Sequence, residues 1–323
     1  MVFSLTRRGF EKVLYSFQGG SDGANPRASL IEVNGTLYGT TSAGGSTTNV
    51  GCGTVFSLTP PAMPGGSWTE AVLHAFTGGL DGCHPYAGLI DVSGTLYGTT
   101  EIGGALDQGT VFSITPSGTE KVLYPFKGAS DGTSPYAGLI DDKGRLYGTT
   151  TNFGSHGGGT MFSLTLSGTE TPHYSFMGGN DGGLPYAGLT NVNGTLYGTT
   201  EYGGGTGCFS SGCGTVFSIS RSGTEKVLYA FQSGSDGSAP MAGLINVKGT
   251  LYGTTANGGG GGGGGTVFSI TTGGTEKVLY AFGSGYFPES GLVAYKGTLY
   301  GATYGGGSGT CSGGCGTVFA VTP

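Results

Sequence analysis

Thr36-Leu37-Tyr38-Gly39-Thr40-Thr41 recurs throughout this chain. Identical copies begin at Thr95, Thr195 and Thr250. Arg145 opens a copy with Arg for Thr, and Thr298 opens one in which Ala302 replaces a Thr. A short run of β-branched and aromatic residues bounded by turn formers reads as a strand. Regular self-similarity of this kind marks a repeat architecture built from one supersecondary unit.

Three further segments surround each copy: Ala-Gly-Leu-Ile, Gly-Thr-Val-Phe-Ser-Leu/Ile-Thr and Glu-Lys-Val-Leu-Tyr-x-Phe. In the first unit they give strand A (Ala28–Val33), strand B (Thr36–Thr41), strand C (Gly53–Thr59) and strand D (Glu70–Phe76). Asn34-Gly35 and Asn193-Gly194 suit two-residue hairpin turns, because both residue types tolerate positive φ. Four antiparallel strands in roughly 50 residues is the size of a propeller blade. Strands A, B and D each occur six times, and strand C seven times, from Val2-Phe3-Ser4-Leu5-Thr6 to Gly316–Thr322. The expectation is an all-β, six-bladed β-propeller with four antiparallel strands per blade, closed by strands from both termini, forming one domain over residues 1–323. Glu11–Phe17 is expected to pair with the C-terminal unit as its outer strand. One copy of C is surplus, and the sequence leaves open which.

Composition agrees. Glycine fills 73 of 323 positions and only 10% of residues are charged. The longest stretch free of Gly and Pro is Ser67–Thr77, which leaves little room for a helix of average length. A membrane span would need about 20 apolar residues in succession. Collagen is excluded because glycine does not fall at every third position. With 13 basic and 19 acidic residues and no basic run, the net charge of −6 attracts neither nucleic acid nor anionic lipid. No nucleic-acid partner, no membrane insertion and a monomer are therefore expected. Residues 1–20 hold no charged segment followed by an apolar one, so no secretory signal is read there.

Leu-Tyr-Gly-Thr-Thr, a Gly-rich stretch, Gly-Thr-Val-Phe, Leu-Tyr-x-Phe and Asp-Gly-x-x-Pro-Tyr-Ala-Gly-Leu together resemble the GloVer-type tandem repeat of choice-of-anchor bacterial proteins. The resemblance runs over essentially the whole chain. It implies an extracytoplasmic bacterial repeat protein, and it brings no established activity and no assigned catalytic residues.

Antiparallel alternation puts the short A–B and C–D turns on one face and the B–C and D–A loops on the other. The second face carries the long, variable, Gly-rich segments and is expected to be the working face, because binding residues concentrate on loops held by a rigid scaffold. The strand-B tyrosines (Tyr38, Tyr97, Tyr147, Tyr197, Tyr252, Tyr300) are read as inter-blade packing rather than as sugar platforms. Asp22, Asp81, Asp131, Asp181 and Asp236, each before a glycine, are read as Asx-type turns.

Departures from the repeat single out the candidate site. After the D–A proline stand Tyr86, Tyr136 and Tyr186 in blades 2 to 4, but Arg27, Met241 and Glu289 in blades 1, 5 and 6. The position after strand B reads Ser42, Glu101, Thr151, Glu201, Ala256 and Tyr304. An asymmetric channel mouth is expected, with Tyr86, Tyr136, Tyr186, Glu101 and Glu201 on one side and Arg27, Glu289 and Tyr304 on the other. The competing reading is drift in the end blades, with Arg27 and Glu289 pairing only to close the ring. A glycan or other small molecule would rest on the tyrosines, with Arg27 holding a polar substituent in bidentate fashion. The alternative is a carbohydrate-active enzyme. Glu101, Glu201 and Glu289 would pair for acid–base work on a glycoside, or Arg27 and Tyr304 would serve a lyase acting on an acidic sugar. His84, in a working-face loop, is the one histidine placed for proton transfer.

The four histidines are scattered and no CxxC or HxxxH pair occurs, so neither a metal nor any other cofactor is expected. All six cysteines fall on the loop-rich face. The placement favours Cys52–Cys83, Cys208–Cys213 and Cys311–Cys315 among 15 connectivities, with free thiols as the alternative. Disulfides imply an extracellular or periplasmic location.

Overall fold

The computed structural model describes residues 1–46, 51–205, 207–208, 211–308 and 314–323. Among these residues there are twenty-five strands and no helix. The fold is a six-bladed β-propeller of antiparallel sheets. β1 (Val2–Leu5) and β2 (Glu11–Tyr15) form a hairpin. β3 (Ile31–Val33), β4 (Thr36–Thr41), β5 (Thr54–Thr59) and β6 (Thr69–Ala75) follow as blade 1, hydrogen-bonded in that order. Blades 2 to 5 repeat the order, and the last repeat contributes Val293–Tyr295, Thr298–Thr303 and Thr317–Val321 as a three-stranded sheet. Contacts group the chain into two compact units. The first holds Met1–Gly128, Thr133–Leu146 and Leu164–Glu170; the second holds Ala129–Gly132, Tyr147–Ser163 and Thr171–Pro323.

The repeated Leu-Tyr-Gly-Thr-Thr is explained residue by residue. In the first unit Leu96 is fully buried and Tyr38 and Tyr97 are 8% and 6% exposed, so these tyrosines are packing groups. Gly98 lies beneath the ring of Phe112 on strand C. A Cβ there would stand 2.6 Å from Phe112 Cζ and 2.9 Å from Leu89 Cδ2. Gly98 is needed for space, not for an unusual φ. Phe112 then receives the edge of Phe76 from blade 1, with ring centroids 5.1 Å apart. The hairpin does the same to blade 1 through Phe17 and Phe56, at 4.9 Å. The second unit repeats the arrangement with Phe176–Phe217, Phe231–Phe268 and Phe282–Phe319.

Both threonines are committed. The first donates to the next blade: Thr40 to the Ala87 carbonyl and Thr99 to that of Ala137 in one unit, Thr149 to Ala187 and Thr199 to Ala242 in the other. The second shares a hydroxyl–hydroxyl bond with the threonine that opens strand C, as in Thr41–Thr54 (2.9 Å) and Thr100–Thr110 (2.8 Å). These side chains are buried polar groups, and the hydrogen bonds are what make their burial tolerable.

Two expectations are corrected. Strand A begins at Ile31, not Ala28, and the same shortening recurs in later blades. The carbonyls that would have opened the strand, such as Ala87 and Ala137, are taken by the preceding blade's threonine instead. The second correction concerns Glu11–Phe17. β2 pairs with β1 rather than with the C-terminal unit, in the register that strand D keeps with strand C elsewhere: Phe3↔Val13 and Ser4↔Lys12 match Phe56↔Val72 and Ser57↔Ala71. The N-terminal copy of C lies one short turn away, so β2 finds its partner locally.

Cys52–Cys83 and Cys208–Cys213 are disulfides, as expected. Cys315 is also disulfide-bonded; its expected partner, Cys311, lies outside the described residues. Among the described residues no helix is long and apolar enough to cross a membrane.

Two measurements check this account. Gly98→Ala forces a methyl group against Phe112 and is expected to lower stability by about 1–3 kcal/mol in urea unfolding, with partial recovery when Phe112→Leu is added. Alkylation without reduction is expected to leave Cys52, Cys83, Cys208 and Cys213 unlabelled in peptide mass spectrometry.

Candidate functional site

The loop-rich face is built on one backbone device repeated six times. The residue ahead of each D–A proline (Asn25, His84, Ser134, Leu184, Ala239, Phe287) has φ between 50° and 57°. Residues other than glycine seldom adopt that region. In five of the six the conformation turns the carbonyl toward the backbone N–H that follows strand B: Ser42 to Asn25, Glu101 to His84, Glu201 to Leu184, Ala256 to Ala239 and Tyr304 to Phe287. Each of those five blades therefore fixes three variable positions together: before the proline, after it, and after strand B. The sequence reading found the second and third. Of the first it singled out only His84, although the constant proline marks the position in every repeat.

In the first unit these positions converge. Tyr136 Oη donates to Glu101 Oε1 at 2.5 Å, and His84 Nδ1 lies 3.2 Å from Glu101 Oε2. Tyr86 stacks on Tyr136, with centroids 5.0 Å apart and planes at 28°. The Arg27 guanidinium lies 5.3 Å from the Tyr86 centroid, on the cation–π scale. His84 is tied down from the other side, since its N–H donates to the Cys52 carbonyl and the next bond along is Cys52–Cys83. Blades 1, 2 and 3 thus present one row: Arg27, Tyr86, Tyr136, Glu101, His84. Arg27 is exposed, and the other four are half-buried.

One expectation about this row is overturned. Arg27 does not face the tyrosines across a gap; it lies on Tyr86, because neighbouring blades bring their post-proline positions side by side. Arg27 and Tyr136 both lie against the Tyr86 ring, which leaves less open ring face than a bare arc of tyrosines would.

In the second unit, Glu201 is half-buried. Burial raises its carboxyl pKa, and the nearby negative charge of Glu289 raises it further. Tyr202, beside it, is raised chiefly by the charge of Glu201. The charge of Glu289 thus reaches Glu201, while a hydrogen bond from Tyr202 acts in the opposite direction. Glu289 is exposed, Tyr186 and Met241 are half-buried, and Tyr304 is 78% exposed, held by its backbone bond to Phe287. Among the described residues no group of three or more His, Cys, Asp or Glu side chains is placed to hold a metal ion.

The Gloeobacter/Verrucomicrobia repeat matches residues 1–210, 46–264 and 208–323, overlapping matches that span the chain. No curated protein matches in sequence. Among solved structures, a streptogramin B lyase is similar with a TM-score of 0.60 at 18% identity, over 89% of this chain and 78% of that one. A putative 6-phosphogluconolactonase from Bacteroides uniformis gives 0.55 at 14% identity, covering 93% and 83%. A luciferin-regenerating enzyme gives 0.52 at 14%, covering 93% and 91%. At such identities the likeness is one of fold.

The row can be tested without a ligand. Tyr136→Phe leaves the ring stack but removes one donor from a half-buried carboxylate, an expected loss of about 1 kcal/mol. Added to Glu101→Gln, it should show a coupling of about 0.5–3 kcal/mol in a double-mutant cycle of urea unfolding.

Proposed function

From the premise that the chain belongs to the Gloeobacter/Verrucomicrobia repeat family, we propose that it is an extracytoplasmic binding protein. It holds one glycan or other small polar ligand at the Arg27–Tyr86–Tyr136 row of the loop-rich face. The observation that carries this reading is singularity. Six near-identical repeats produce the arginine–tyrosine–tyrosine stack ending on Glu101 and His84 in one place, whereas a repeat lectin would carry several equivalent sites. Apolar ring surface with a few converging polar groups is the usual make-up of a small-molecule site. The disulfides favour an oxidising compartment outside the cytoplasm. The protein acts as a monomer, with no nucleic-acid or membrane partner and no cofactor.

A second reading rests on different atoms. His84, Glu101 and Tyr136 form a hydrogen-bonded chain that could pass a proton, with Arg27 beside it to neutralise an acidic sugar, as a lyase requires. Separately, the Glu201–Glu289 pair, with Glu201 shifted toward its acid form, suits a glycoside hydrolase. Two of the similar folds are described by name as a lyase and a putative lactonase.

A glycan array followed by calorimetry separates the readings. Binding at one ligand per chain without turnover supports the binding protein; release of reducing ends or of an unsaturated product supports the enzyme. Arg27→Ala and Tyr136→Ala are each expected to weaken binding at least tenfold. Unchanged affinity in both folded variants removes this site.

A further inference from the structure

Four glutamates that open strand D, namely Glu70, Glu120, Glu225 and Glu276, share an unusual setting. Each has an Oε1 shut off from solvent with no hydrogen-bond partner. They sit where one blade presses on the one before. Just ahead of three of them, a Cβ on Gly118 would stand 2.8 Å from the Leu73 carbonyl oxygen, on Gly223 2.2 Å from that of His173, and on Gly274 2.6 Å from that of Leu228. Those carbonyls belong to strand D of the preceding blade.

Across each seam stands an aspartate that is already well served. Asp22 accepts from Tyr15 Oη (3.1 Å) and the Gln18 N–H (2.7 Å). Asp181 accepts from Tyr174 Oη (2.9 Å) and the Met177 N–H (2.8 Å), and Asp236 from Tyr229 Oη (3.0 Å) and the Gln232 N–H (2.8 Å). Asp81 accepts from the Thr77 N–H and hydroxyl and faces His74 Nε2 at 3.2 Å. Lys121, Lys226 and Lys277, next along strand D, lie on its exposed side, where strand alternation turns them away from the seam. Two carboxyls thus share a poorly solvated space in which the aspartate takes most of the hydrogen bonds: Tyr15 and Tyr174 also reach Glu70 and Glu225, but Oε1 of every one of these glutamates stays unpartnered.

We propose that these seams are closed by protons: each glutamate is held as the neutral acid opposite an ionised aspartate, and alkaline pH loosens the contact between blades. The energetics point the same way. Burial first, and then the facing aspartate, pushes Glu120, Glu225 and Glu276 up to about 7, and raises Glu70 in the same direction. The folded chain therefore keeps protons that the unfolded chain, with ordinary carboxyls, has already lost. Stability from these groups is fully present below the ordinary carboxyl range and falls as pH rises through about 7. Tyr15, pushed up to about 12, and Tyr174 and Tyr229, also raised, lose protons only in strongly alkaline solution. The seams reach the loop face too, because Asp22 and Asp81 stand in the same loops as Arg27 and His84.

The test is urea unfolding from about pH 5 to pH 9 on the full chain and on Glu120→Gln/Glu225→Gln/Glu276→Gln, which replaces the titrating glutamate with an uncharged amide in three of the four seams. The wild-type midpoint should fall from about pH 5 to about pH 8 and level off above that, where the glutamates are ionised in both states, and the triple variant should flatten most of the fall. Potentiometry near pH 6 should find wild type releasing about three more protons on unfolding than the variant, one for each glutamate replaced. A flat wild-type profile, or the same slope and proton count in the variant, overturns the proposal. Should the triple variant not fold, Glu120→Gln alone, expected to remove about one proton of that release, decides it by the same titration.

Discussion

A phenylalanine ring laid over a glycine sets the geometry of this protein. Strand B carries a glycine where strand C swings its phenylalanine across, and the space is so tight that a Cβ on Gly39, Gly98, Gly198, Gly253 or Gly301 would come within 2.5–2.7 Å of the ring's outer carbon or, at Gly39, of a neighbouring leucine methyl. The ring lies flat on its own sheet and offers its other face to the blade before. The phenylalanine that ends the preceding strand D fills that face edge-on, a contact worth about 0.5–1.5 kcal/mol beyond the area it buries. Because the same pair recurs in each unit, the contact also fixes how far each blade is rotated from its neighbour. The threonine rows then close the seam with hydrogen bonds that only this spacing permits.

Packing of this kind leaves the loop face free to vary. Its anchors are backbone features: the left-handed residue before proline, the carbonyl it turns inward, and the proline after it. None depends on the side chains at the three variable positions, provided the first can bear a positive φ. Asn25 and His84 belong to types enriched in that region, whereas Leu184 and Phe287 are costly there. That the conformation persists with leucine and phenylalanine shows the surrounding loop enforcing it. Chemistry can therefore be written into one part of the ring without disturbing the rest.

Strands, their order within each blade, the buried tyrosines and the two described disulfide pairs were legible because each follows from period and local turn chemistry. The pairing of β2 was not. Strand C occurs at both ends of the chain, and the pattern is the same in each. The choice falls to chain entropy: a partner a few residues away costs about 3–4 kcal/mol less to bring together than one some 300 residues distant. Nor was Arg27's place on Tyr86 legible. The spacing between post-proline positions of adjacent blades depends on inter-blade rotation, which no single repeat encodes. The carboxyl pairs in the seams were hidden for the same reason, since Glu120 and Asp81 are unremarkable in their own strands and meet only when two blades pack.

The row on the loop face acquires a direction from its hydrogen bonds. Tyr136 uses its hydroxyl hydrogen to donate to Glu101, so its oxygen is left as an acceptor. Glu101 is held on both oxygens, by Tyr136 and His84, which fixes its orientation. At the opposite end the Arg27 guanidinium is exposed, and toward a ligand it offers only donors. A ligand lying along the row would meet a cationic donor at one end and an acceptor beside a carboxylate at the other. In the binding reading, that polarity favours a molecule with an anionic or acceptor group at the Arg27 end and a hydroxyl donor about two ring widths away. An acidic sugar has that pattern, and a hydrocarbon or a dication does not. The same polarity is what a lyase would need at its acid–base centre, so binding and catalysis here differ in whether the His84–Glu101–Tyr136 chain moves its proton, not in what the row recognises.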